Sequence, residues 1–114
     1  MEIEFYETEN GTKPALEFLN SLSPKLRTKM MRTVDLLEMF GPKLRYPESA
    51  ELDDGIMELR ASLGTNAVRI LYFFVVSNKA ILANGFVKKT QKTPRNEIAL
   101  AKKYRLDYIR RNAP

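Results

Sequence analysis

In the middle of the chain apolar side chains recur at every second residue. Met57, Leu59, Ala61 and Leu63 alternate with Ile56, Glu58, Arg60 and Ser62, which is the period of a half-buried strand. After a Gly64-Thr65-Asn66 turn signal, Val68 to Val76 is a nearly continuous β-branched and aromatic run broken by Arg69, and it predicts a central strand covered on both faces. Ser77-Asn78 predicts a hairpin and Ala80 to Lys88 the last strand, while Ile3 to Tyr6 reads as a short strand near the start. Between the first strand and the others the period lengthens. Ala15, Phe18, Leu19 and Leu22 follow Pro14 at helical spacing, so a short helix ends near Ser21 to Ser23. Ser23 then serves as an N-cap with Pro24 at the first helical position, and Leu26, Met30, Val34 and Leu37 form the stripe of a second helix that Gly41-Pro42 stops. The polar stretch from Lys43 to Gly55, with Pro47 and an Asp53-Asp54-Gly55 turn signal, reads as a loop. Thr93-Pro94 caps a final helix in which Ile98, Ala101, Tyr104 and Tyr108 share a face. The order β-α-α-β-β-β-α predicts an α+β domain over residues 1–114, with helices from 14 to 40 on one face of an antiparallel sheet.

Composition changes this picture in two ways. Cysteine and histidine are both absent, which removes disulfides, thiolate metal sites, the commonest zinc ligand and the commonest general acid/base. Charge is also unevenly distributed. Residues 1–59 carry 7 basic against 12 acidic side chains, net −5, whereas residues 60–114 carry 12 against 2, net +10. So basic a half-chain is the footprint expected of a polyanion binder, with a solvated charged face as the bland alternative. The acidic start MEIEFYETEN and an apolar run no longer than Ile70 to Val76 predict neither a signal peptide nor a membrane span, and the expected location is the cytoplasm.

Candidate chemistry lies in the cations that interrupt strands. Arg60 sits within a strand, Arg69 breaks an apolar run, and Lys88-Lys89 follow directly on Gly85-Phe86-Val87. Side chains of matching parity on paired antiparallel strands share a face, so these residues can converge on one phosphate. For Arg69 the alternative is a buried ion pair with an acid such as Glu58. Tyr72, Phe73 and Phe74 lie in the most apolar strand and read as core, which argues against a bare RNA-binding sheet.

Three strings carry a family resemblance: Asp54-Gly55-Ile56-Met57-Glu58-Leu59-Arg60, then Val68-Arg69-Ile70-Leu71-Tyr72-Phe73, then Gly85 to Pro94 with Lys88-Lys89-Thr90-Gln91-Lys92. Together they resemble the phage-derived, HigB-like branch of the RelE/ParE toxin superfamily over roughly residues 10 to 108. The resemblance implies a RelE-like fold and a toxin held in check by a helix-turn-helix antitoxin. The implied activity is ribosome-dependent cleavage of mRNA, by attack of a 2′-hydroxyl on the adjacent phosphate without metal or cofactor. It implies catalytic roles for Arg60, Arg69, Lys88 and Lys89, with Lys92, Arg95, Lys102 and Lys103 as contacts to RNA or ribosome. The chain departs from the pattern in having no histidine for proton transfer and no tyrosine counterpart after Lys89. A ParE-like inhibitor of DNA gyrase, with the same fold and no nuclease activity, is the alternative.

Overall fold

The computed structural model describes residues 1–113. Strand β1 (Glu2–Phe5) precedes helices α1 (Pro14–Ser21) and α2 (Pro24–Phe40) and a short 3₁₀ turn (Gly41–Lys43). Strands β2 (Ser49–Asp53), β3 (Ile56–Leu63), β4 (Asn66–Val75) and β5 (Lys79–Lys88) follow, and helix α3 (Arg95–Arg111) closes the chain. The sheet runs β1-β5-β4-β3-β2, with the apolar β4 third of five, as its two-sided hydrophobicity requires.

Strands β2 to β5 form consecutive antiparallel pairs. The Asp54-Gly55 loop joining β2 to β3 has φ of 51° and 79°, the positive pair that a two-residue type I′ turn demands. The expected antiparallel sheet from Met57 to Lys88 is present, and two features add to it. β1 pairs with β5 in parallel, Glu2 opposite Lys79 and Phe5 opposite Leu82, so the sheet is mixed. This is possible because two helices and three strands intervene between β1 and its partner, ample length for a crossover. The second is β2, which corrects the expectation of a loop from Lys43 to Gly55. It is an edge strand paired only to β3, with a register irregularity between Glu51 and Asp53, and its Ser49-Ala50-Glu51-Leu52-Asp53 sequence is too polar to signal a strand.

Strand alternation divides the core into two layers. Leu59, Ile70, Tyr72 and Leu82 face α1 and α2, where Leu19, Met30 and Leu37 meet them. Ile56, Leu71, Phe73 and Ile81 face α3, where Ala101 and Tyr108 close the other side. Gly85 is glycine for a packing reason: a Cβ there would fall 2.3 Å from the Phe18 ring of α1. The expected caps are only partly used. Ser23 occupies the N-cap position of α2, and Pro94 rather than Thr93 that of α3, and neither helix start has a side-chain capping bond.

Candidate functional site

Arg60 and Arg69 are direct neighbours across the β3–β4 ladder, an arrangement of like charges that destabilises a sheet unless an anion separates them. Glu58 is that anion. Two residues before Arg60 on the same face, it is wholly buried. One oxygen accepts a hydrogen bond from Arg60 Nε at 3.0 Å, and the other lies 3.7 Å from Arg69 Nε and accepts a hydrogen bond from the Thr93 hydroxyl. Both readings of Arg69 therefore meet at one place, because the buried ion pair with Glu58 forms inside the cationic cluster.

Segments from both sides of the sheet hold the cluster in place. The Arg60 backbone is fixed on two sides, its N–H donating to the Glu48 carbonyl and its carbonyl accepting from the buried Thr33 hydroxyl of α2. Thr93 ties the segment before α3 to Glu58, and Asn84 of β5 donates to the backbone and side chain of Glu97 in the first turn of α3. Arg69 Nη1 donates to the Val68 carbonyl, while its Nε is buried without a hydrogen-bond partner and relies on the charge of Glu58.

Lys88, the last residue of β5, shares this face. Together with Glu58, Arg60, Lys92, Thr93 and Arg95 it lines a cleft of about 670 Å³ where the start of α3 leaves the sheet uncovered. Burial, followed by the positive charges of Arg69 and Arg60, pulls the Lys88 ammonium below the usual lysine range against the opposing pull of Glu58. Burial likewise lowers the pKa of Arg69, with Glu58 opposing and Arg60 adding to it. The side chain of Arg60 is 27% exposed against 11% for Arg69. Its Nε is committed to Glu58, while the terminal nitrogens make no other hydrogen bond among the described residues, leaving a planar fork for an incoming anion.

Of the residues singled out from the sequence, Arg60, Arg69 and Lys88 converge, and Lys92 and Arg95 rim the same cleft. Lys89 is exposed just past the end of β5 and does not line the cleft. Lys102 lies further along α3 and pairs with Asp53 at 2.5 Å, and Lys103 is exposed on the same helix. A second cleft on the other flank of Arg60 adds Lys29 and Arg32 of α2, which sequence reasoning passed over. Their three-residue spacing outside the apolar stripe of α2 was the available signal. No helix among the described residues is long and apolar enough to cross a membrane. A family model described as phage-derived protein Gp49-like (DUF891) matches residues 17–105, a span that contains all of the converging cations. No curated protein matches the chain.

Proposed function

The chain belongs to the phage-derived Gp49-like family, whose members share the RelE/ParE-like toxin fold, and on that premise we propose that it is a toxin acting as a ribosome-dependent, metal-independent mRNA endoribonuclease. The observation that carries this reading is the convergence of Arg60, Arg69 and Lys88 around the buried Glu58 at an open cleft. In the proposed step the 2′-oxygen bonds to phosphorus and the bond from phosphorus to the 5′-oxygen breaks, leaving a 2′,3′-cyclic phosphate and a free 5′-hydroxyl. Negative charge builds on the phosphoryl oxygens, and a preorganised guanidinium fork at Arg60, with Arg69 behind it, opposes that charge. Lys88, held below the usual lysine range, is the candidate for moving the proton, with Lys89 as the neighbour to test beside it. Lys92, Arg95 and Lys103 extend the positive surface along the start and body of α3, suited to RNA or ribosome backbone, and Lys102 would join them on exchanging its ion pair with Asp53 for a phosphate. A helix-turn-helix antitoxin encoded nearby is the proposed partner, covering this basic half, and the complex should be salt-sensitive.

The test is single-turnover cleavage of mRNA on purified ribosomes, with product ends analysed for the cyclic phosphate. Arg60→Ala should lose about a hundredfold in rate, the usual scale for one preorganised donor, with ribosome binding retained. Arg60→Lys should restore little, since a point charge does not replace a fork matched to two phosphate oxygens. Wild-type rates in Arg60→Ala would overturn the mechanism. Gyrase inhibition by a wild-type protein that leaves mRNA intact would instead move the chain to the ParE-like reading.

A further inference from the structure

The proposed reaction uses the cleft on the α3 side of Arg60 but leaves the second cleft without a role. That second cleft, about 540 Å³, is lined by Lys29 and Arg32 of α2, by Pro47 and Glu48, and by Arg60 and Arg69. Next to it in the chain stands Tyr46, 75% exposed despite its large apolar ring. The Arg60 guanidinium carbon lies 5.2 Å from the centroid of that ring. A cation thus occupies one face of the ring, at cation–π distance, while so high an exposure leaves the rest open to solvent.

We infer that Tyr46 is a stacking platform for one nucleobase of a single-stranded RNA whose neighbouring phosphate is held by Arg60, with Lys29 and Arg32 receiving the backbone beyond it. The inference rests on the nuclease reading and deepens it, because it names the subsite beside the scissile phosphate. Every base has a π-face, so an exposed aromatic ring flanking a cationic groove binds single strands with little sequence preference. A guanidinium against the first face of the ring fits the same arrangement, since Arg60 touches both the ring and the groove through which the backbone passes. Glu48 is the one acid lining this cleft, and its charge directs the backbone towards the Lys29 and Arg32 side.

The experiment uses the full chain and purified ribosomes programmed with a short mRNA that carries one 2′-deoxy nucleotide at the cleavage position, so that binding is read without turnover. 2-Aminopurine is placed on either side of that position in separate oligomers, and its fluorescence falls when it stacks. Wild type should quench one of the two positions. Tyr46→Ala and Tyr46→Leu should both abolish that quench and weaken binding by about tenfold, within the range seen for loss of one base–aromatic stack. Tyr46→Phe and Tyr46→Trp should retain both. Leucine still packs beneath Arg60 but cannot stack, so wild-type affinity in Tyr46→Leu would mean that Tyr46 only supports the arginine, and would overturn the inference. Absence of quenching by wild type at either position would overturn it too. On ribosomes, Tyr46→Ala should raise KM more than it lowers kcat, the opposite of Arg60→Ala. Position-specific quenching by a wild-type protein that cleaves no mRNA would sink the nuclease reading and leave the stacking site standing.

Discussion

Replacing Glu58 with glutamine tests the physical account of the site at its centre. The carboxylate is the only acid that either Arg60 or Arg69 pairs with among the described residues, and its side chain is 1% exposed. Glutamine keeps the shape and one acceptor, enough for the Thr93 hydroxyl or for Arg60 Nε, but its amide turns two donors towards groups that are themselves donors. Arg60, about a quarter exposed, can rehydrate, so its loss lies near the bottom of the range. Arg69 cannot, and breaking a buried pair from one side typically costs about 3–5 kcal/mol. The expected loss is therefore about 3 kcal/mol, roughly 10–15 °C in Tm for a domain of this size. Urea unfolding should show it as a lower midpoint with an unchanged slope. Adding Arg69→Met to Glu58→Gln should recover much of the loss, because an apolar side chain of similar volume does not leave an uncompensated buried charge. A Glu58→Gln protein within about 1 kcal/mol of wild type, or a double variant less stable than the single one, would refute the view that Glu58 neutralises a buried arginine.

Three further outcomes follow from the same structure. Because the ionisation of Lys88 is held below the usual lysine range, the single-turnover pH profile should contain a limb that Lys88→Ala removes and that Arg69→Met moves to higher pH by deleting a neighbouring positive charge; an unaltered profile in Lys88→Ala would assign the proton elsewhere. Tyr6 is buried, donates to Asp107 at 2.5 Å, and has its pKa pushed up to about 12, first by burial and then by that acid. The native state holds this proton more tightly than the unfolded chain, so the contribution of about 2–3 kcal/mol is complete below pH ~10 and is lost as pH rises to ~12. Tyr6→Phe should make the decline across that window shallower without removing it, because burial also raises Tyr72, Tyr104 and Tyr108, and an equally steep alkaline decline in the variant would exclude Tyr6 as a source. In pulse-labelled refolding the β1 amides should gain protection after those of β3 and β4, and simultaneous protection would contradict the folding order that the topology implies.

Much of this fold was legible because its signals are local. The alternation from Ile56 to Leu63 and the double-sided apolarity of β4 each reflect a burial pattern set within a single strand. β2 was not legible, because an edge strand needs few apolar residues; it is held instead by pairing to β3 and by the Ser49 hydroxyl meeting the buried Tyr72 hydroxyl at 2.6 Å. Nor does any local pattern say that Ile3 pairs with Ala80. In the site, strand parity was enough to bring Arg60, Arg69 and Lys88 to one face. Tyr46, Lys29 and Arg32 escaped because they reach Arg60 only through tertiary packing, the loop before β2 on one side and α2 on the other. Thr93 has the local signature of a cap, yet its hydroxyl goes to Glu58, a preference that depends on where β3 lies.

The parallel pairing of β1 with β5 gives the chain an order of assembly. Strands β2 to β5 are neighbours in sequence as well as in space, so each pair can close over a short turn soon after its residues emerge. Strand β1 is made first and has nothing to pair with until Lys79 to Leu82 exist, and closing so long a loop carries an entropy cost that the hairpins do not face. On a translating ribosome the first strand waits until Lys79 to Leu82 have emerged, so the sheet closes at β1 only after its antiparallel strands exist.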